Sequence, residues 1–316
     1  MITTDINKAI KVLLNDDIIG MPTETVYGLA GNAYSENAIK KIFDLKKRPF
    51  YNPLIVHIKS ASYLKKIAID IPVMALKLAE KFWPGPLTLV LKKQPHILNL
   101  VTAGNDTVGV RVPNHPVALA LLKKLEFPLA APSANPFGAI SPTNALHVSN
   151  YFGESLDVIL DGGECVKGIE STIIGFENNL PVLYRHGSIS VEEIEKIVGN
   201  LIININNDSK PSSPGMLSKH YAPNTDIYLT NNVNAFMKSF DGKKIGLLLF
   251  KDKVSNKNVV QEVLSESGDF NESAKNLYAA LHRLDHKNLD VIIAERLPNI
   301  GLGKTINDRL ERAVKK

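Results

Sequence analysis

The sequence predicts a mixed α/β protein in two parts, and three observations predict it. Residues 1–203 alternate short apolar runs with helical periods, the pattern of an α/β or mixed α+β class. Residues 204–223, NINNDSKPSSPGMLSKHYAP, are dominated by Asn, Ser, Pro and Gly and keep no period, so they read as a linker. Residues 224–316 return to an α/β pattern, and for a chain of 316 residues two domains are the natural expectation.

The first twenty residues predict an amphipathic helix followed by a strand rather than a signal peptide, because polar and apolar groups alternate and Asp16 and Asp17 interrupt them. Ile18 and Ile19 lead into Gly20 and the polar turn Pro22-Thr23-Glu24-Thr25. Ser35 can cap a helix whose apolar face is Ala38, Ile39, Ile42, Phe43 and Leu45. Lys46, Lys47 and Arg48 close that helix, Pro49 stops it, and Leu54-Ile55-Val56 is a buried-strand run ending in His57. Helical patterns follow at 60–68 and 73–82. Trp83-Pro84-Gly85-Pro86 then breaks the chain before a strand at 87–91. Residues 108–112 alternate as a strand, 116–125 read as a helix, and 129–131 as a short buried strand running into the turn Pro132-Ser133-Ala134-Asn135-Pro136. Further strands are expected at 157–160, 171–175 and 182–184. Ser190 and Glu193 form a capping box for a helix to about Val198. Beyond the linker, strands are expected at 226–229, 245–250 and 291–294. A helix at 273–285 carries Leu277, Leu281 and Leu284 on one face, and a last helix starts near Thr305.

Composition bounds the function. The chain is 44% hydrophobic and 22% charged, enough apolar content for a full core. Its single cysteine, Cys165, excludes a disulfide framework and a multi-cysteine zinc site and fits a reducing compartment. No apolar run approaches membrane-spanning length. A net charge of +5 and a pI near 9.0 admit an anionic ligand, nucleotide or nucleic acid, without choosing between them.

Several motifs are decoys. Gly301-Leu302-Gly303-Lys304-Thr305 looks like a phosphate-binding loop, but Pro298 stands where that motif needs its first glycine. No serine-nucleophile elbow, metal-binding histidine pair or dinucleotide glycine fingerprint occurs. Cys165 has no motif partner and reads as inert. What remains is a set of polar groups at element ends: Thr25, Lys46, Arg48, Asn52, His57, Arg111, Ser133, Asn135, Ser141, Ser171 and Arg185. Ligands of open α/β sheets bind beyond strand ends, so these scattered residues can converge. A cationic, hydroxylic set without a nucleophile suits adenylyl or phosphoryl transfer, where positioning and charge neutralisation carry the chemistry. Each member also has a plain structural reading. Cations end helices because the dipole favours them, and a histidine closing a buried strand can be a satisfied core residue.

The segments PTETVYGLAG, KKRPFYNPLIVHI, WPGPLTLVL, VGVRVP, APSANPFGAISPT, GIESTII and LYRHG, with SPGMLSKHYAP in the linker and GLGKTINDRLERA near the C-terminus, together resemble the YrdC-like threonylcarbamoyl-AMP synthases in their longer two-domain form. The resemblance spans essentially the whole chain. It implies a YrdC-like twisted mixed sheet with helices over 1–203, a linker and lid at 204–223, and a smaller Rossmann-like α/β domain over 224–316. The implied reaction turns L-threonine, bicarbonate or CO2 and ATP, with Mg2+, into threonylcarbamoyl-AMP and pyrophosphate. A later complex then moves the threonylcarbamoyl group to the adenosine beside the anticodon of tRNAs reading codons that begin with A.

Carried over by position, the resemblance gives Lys46, Arg48, Ser133 and Asn135 a catalytic role. Arg48, Asn52, Thr107, Ser133, Ser141, Arg185 and Tyr221 would contact ATP, and Thr25, His57, Arg111, Ala131 and Ser171 would hold threonine. No protein ligand for a metal is implied. A cytoplasmic location is expected, with no membrane partner and at most weak tRNA binding. A pure RNA-binding module is disfavoured because stacking aromatics interleaved with basic residues are missing. The related carbamoyltransferase of hydrogenase maturation is disfavoured because its zinc-finger cysteines are missing.

Overall fold

The computed structural model describes residues 1–205, 213–214, 220–256 and 258–314. The first helix, Ile6–Leu14, starts where Asp5 accepts a hydrogen bond from the Asn7 amide (2.9 Å), and it leads to the strand Ile19–Met21. Helix Glu36–Lys46 is capped by Ser35 and buries Ala38, Ile39, Ile42 and Phe43. Lys47, at φ 53°, ends it. The Ser190–Glu193 capping box opens Val191–Val198. These are the elements whose local signals are strongest, and they form as the residues dictate.

An 11-stranded mixed sheet holds the larger part. Its order is Ile2–Thr3, Ile159–Leu160, Ile19–Met21, Gly28–Asn32, Leu129–Ala130, Ile55–His57, Thr107–Arg111, Leu87–Lys92, Thr172–Glu177, Leu180–Arg185 and Ile202–Ile203. Ile55–His57 and Thr107–Arg111 run parallel with His57 opposite Arg111, and His57 also faces Leu129 across an antiparallel pair. That register puts His57 and Arg111 side by side at one end of their strands, while the antiparallel strand Leu129–Ala130 carries the chain back past them, so that the Ala131 amide donates to the Ile55 carbonyl (3.0 Å).

A second sheet of four parallel strands has the order Ile227–Thr230, Val291–Glu295, Ile245–Leu249, Val260–Val263. Helices Phe270–Asp285 and Leu302–Ala313 pack against it and against the larger part. One apolar cluster crosses the seam, joining Val26, Ile140 and Ile169 to Leu277, Tyr278, Leu281 and Ile306. Gly168 marks one close approach across the seam. A β-carbon there would lie 2.2 Å from the Lys275 carbonyl oxygen, and its φ of 69° already favours glycine.

Some elements differ from expectation. Residues 61–66 form a 3-10 helix, and the strand Gly28–Asn32 had no sequence signal. That strand is rich in small residues because Glu36–Lys46 lies directly on it: a β-carbon on Gly31 would sit 3.2 Å from that of Ala38. Helices Asn99–Thr102, Ala145–Phe152 and Val233–Met237 and the strand Val260–Val263 were also not anticipated. The last helix starts at Leu302, three residues before the expected Thr305.

Candidate active site

A cavity with about 590 Å³ of empty space, its open mouth included, lies over one face of the central strands: Ile55 and His57, two residues apart on one strand, both line it, with Arg111 from the next strand and Gly28, Ala131 and Ser171 from their neighbours. The turn after Met21 supplies one wall. Thr23 Oγ1 donates to the Val26 carbonyl (2.6 Å) and accepts from the Val26 amide (3.3 Å), which folds the turn so that Thr25 faces inward. Arg111 donates from Nη1 to Thr25 Oγ1 (2.9 Å) and from Nε to the Gly85 carbonyl (3.2 Å). Its Nη2 lies 2.6 Å from Glu24 Oε2, an ion contact in which the N–H is not aimed along the line between them, so neither group gains a hydrogen bond. His57 lines the same side, its Nδ1 3.3 Å from the Ile55 carbonyl. Burial, then the Arg111 charge, pull the imidazole down to about 3, so it is neutral at ordinary pH.

Arg48 and Arg185 line the cavity as well. Arg48 donates from Nε to the Asn52 carbonyl (3.0 Å) and from Nη2 to Asn52 Oδ1 (2.6 Å) and the Pro53 carbonyl (2.7 Å). Arg185 donates to the Ser171 carbonyl from Nε (3.1 Å) and Nη2 (2.9 Å), to Ser171 Oγ (3.0 Å), and to the Pro214 carbonyl (3.4 Å). All these acceptors are neutral. Burial lowers both guanidinium pKa values, and for Arg48 the next cause is Arg185 itself. Two buried cations repel across a space that an anion would fill.

Ala131, Ser133, Ser171 and Tyr221 complete the lining among the expected residues. Ser171 Oγ also meets Thr88 Oγ1 at 2.7 Å. Tyr221, at φ 67° and 1% exposed, belongs to the roof with His220 and Pro214. Lys219 and the rest of the expected lid, 206–212 and 215–219, lie outside the described residues.

Four expected residues stand behind the wall rather than in it. The Lys46 ammonium donates to the Ser133 carbonyl (2.6 Å) and to the Asn135 carbonyl, pinning the turn that presents Ser133. Burial, then Arg48, push its pKa well below that of an ordinary lysine. Asn135 Nδ2 donates to the Pro136 and Ala139 carbonyls, both at 2.9 Å. Asn52 braces Arg48, and its Nδ2 is buried without a hydrogen-bond partner. Ser141 Oγ donates to Glu170 Oε1 (2.7 Å). Thr107 is not among the residues that line the cavity: it opposes Lys92 at the start of the strand that finishes with Arg111.

Sequence reasoning missed Glu170 and its partners from the other sheet. Glu170 lines the cavity and accepts from Tyr278 OH at both oxygens (3.0 Å each) and from Arg309 Nε (2.9 Å). Burial works to raise its pKa. Arg309, Arg185 and the Ser141 hydroxyl outweigh that and hold it at about 2. Arg309 also lies under the Tyr221 ring, 4.8 Å from its centroid. The segments GIESTII and GLGKTINDRLERA contain these residues, but no local pattern links positions 139 apart.

The decoys resolve. Lys304 is paired with Glu192 (2.7 Å) and Thr305 Oγ1 donates to the Gly187 carbonyl (3.1 Å), so both side chains bind the seam. Cys165 is buried, and burial raises its thiol pKa. Among the described residues no group of three or more His, Cys, Asp or Glu could hold a metal, and no helix is long and apolar enough to cross a membrane.

The family model described as Telomere recombination matches residues 11–187, and the one described as Threonylcarbamoyl-AMP synthase, C-terminal domain, matches residues 189–314. The chain is 41% identical to the threonylcarbamoyl-AMP synthase of Pyrococcus abyssi over 310 residues, covering 94% of this chain and 90% of the relative. It is 38% identical to that of Bacillus subtilis over 320 residues, covering 98% and 92%. A crystal structure of P. abyssi Sua5 complexed with L-threonine is similar at a TM-score of 0.90 and 40% identity, covering 98% of this chain and 93% of that one.

Proposed function

The chain belongs to the threonylcarbamoyl-AMP synthase family, and from that premise we propose how its cavity condenses L-threonine, bicarbonate or CO2 and ATP into threonylcarbamoyl-AMP and pyrophosphate. The threonine amine takes up CO2 as a carbamate. A carbamate oxygen attacks the α-phosphorus of ATP, and pyrophosphate leaves. No covalent enzyme intermediate is needed, in keeping with a cavity lined by cations and hydroxyls. What the site must supply is a dry, oriented space for a labile carbamate and positive charge against the triphosphate.

In this reading Arg111 receives the threonine carboxylate, with Thr25, His57, Ser171 and the chain at Ala131 around it. Support comes from the fixed Arg111 guanidinium, and from the P. abyssi relative having been crystallised with L-threonine. Arg48 and Arg185 receive the ATP phosphates beside Ser133, under Tyr221. The single observation that carries the reading is a second set of charges in the same cavity as Arg111: the buried cations Arg48 and Arg185, with only neutral partners. Asn52 Nδ2, a buried donor without an acceptor, adds to it.

Mg2+ would enter as MgATP. Glu24 faces Arg111 and Glu170 is committed to Arg309, Tyr278 and Ser141, so the ion would be held by phosphate oxygens and water, its usual habit. The division into a catalytic unit over 1–203, a linker at 204–223 and a C-terminal unit over 224–316 belongs to the same reading, as does a cytoplasmic setting. So does hand-over of the product to an enzyme complex that modifies tRNA. The test is ATP-to-pyrophosphate conversion on the purified chain. Turnover should require threonine and bicarbonate together, and tight, salt-sensitive tRNA binding without such turnover would overturn the reading.

A further inference from the structure

Glu170 is the one carboxylate among the described residues that line the cavity. Left bare, its charge would lie on the same wall as Arg185 and would oppose an incoming polyanion. The smaller sheet's helices answer it. Arg309 is 1% exposed, pairs with Glu170 at 2.9 Å, donates from Nη2 to the His186 carbonyl (2.6 Å), and contacts Asp308 through Nη1. Asp308 is shared with Arg312 (2.9 Å), so two cations and two carboxylates cancel within the seam. Tyr278 OH and Ser141 Oγ fill the remaining acceptor sites of Glu170. Arg48 and Arg185, by contrast, have only neutral hydrogen-bond partners.

We propose that Arg309 is a positioning residue of the nucleotide site: it neutralises Glu170 from the C-terminal unit, so that the charges of Arg48 and Arg185 stay available for the phosphates. The proposal rests on the functional reading above in assigning those phosphates to ATP. It gives the C-terminal unit a part in catalysis although no side chain of helices Phe270–Asp285 or Leu302–Ala313 lines the cavity. It also separates a charge role from packing. If Arg309 served only to fill space, removing the Glu170 charge would not compensate for losing the guanidinium.

The experiment titrates the full chain with adenylyl-imidodiphosphate and Mg2+ in a calorimeter, after thermal melts have shown each variant folded. Arg309→Met should weaken binding about tenfold or more, the scale of one uncompensated charged contact. Adding Glu170→Gln to Arg309→Met should bring affinity back to within about threefold of the parent. Binding by Arg309→Met within threefold of the parent, or a double variant as weak as the single, overturns the proposal. Should Arg309→Met not fold, Glu170→Gln alone decides: it should bind the analogue at least as tightly as the parent, and a tenfold loss overturns the idea. Pyrophosphate release by the parent is measured on the same preparations. Its failure to need threonine and bicarbonate would sink the functional reading while leaving the Arg309 comparison to be judged on binding.

Discussion

Arg48 spends Nε and Nη2 on the loop that immediately follows it, so its side chain is held rigid before any ligand arrives. A held cation costs no reorganisation when phosphate charge develops, which is why its removal should act on turnover more than on folding. Arg48→Ala is expected to lower kcat/KM by about 10²–10³, the typical cost of one preorganised donor. Steady-state pyrophosphate release checks this, and near-parental activity would remove Arg48 from the phosphate wall. Residues such as Arg48, Arg111 and Arg185 were legible because each stands at the end of an element whose apolar run is plain in the sequence. Glu170 was not, since its meaning depends on Arg309 and Tyr278, over a hundred residues away.

The Ser133–Asn135 turn shows the limit at the level of elements. Its polar composition and its place after a buried strand could be read from the sequence, but what fixes its shape could not. The Lys46 ammonium, arriving at the end of Glu36–Lys46, takes both the Ser133 and Asn135 carbonyls. A phosphate ligand and a turn clamp make different predictions for one substitution. Lys46→Met leaves the Ser133 and Asn135 carbonyls without their donor and should cost about 2–6 kcal/mol of stability, from about 1–3 kcal/mol for each orphaned acceptor. Activity should fall with it, because Ser133 loses its support. Urea unfolding alongside kinetics separates the cases: parental stability with a raised KM for ATP would return Lys46 to direct phosphate contact. Glycine-rich Gly28–Asn32 escaped notice for a related reason, since its strand is made by neighbours rather than by β-branched residues of its own.

The molecule as a whole is built around buried neutral histidines, and these set its response to acid. Burial is the largest cause of depression in each case. It leaves His57, His147 and His220 at about 3 and His282 at about 4, against an ordinary value near 6.5. His147 and His282 stack across the seam with centroids 3.9 Å apart. His286 and Arg283 add further positive charge around them, and Asp285 offsets some of it. The folded values lie below the unfolded ones, so below pH 6.5 the unfolded chain binds more protons and stability falls as pH drops towards 4. His57 and His220 each contribute at most about 1.4 kcal/mol per pH unit; His147 contributes less because it is only partly buried and water screens it, and His282 over a narrower pH range because its pKa is depressed less. Glu170 adds a later loss, between its ordinary range near 4.5 and its folded value of about 2, as Arg309 loses its partner. Thermal melting from pH 7 to 4 should therefore show a progressive fall that starts near 6.5. A His147→Phe chain keeps an aromatic ring against His282 but cannot take up the proton, so its melting temperature should fall less steeply over the same range. Parallel curves for the two chains would mean that the stacked pair does not govern the seam's acid sensitivity.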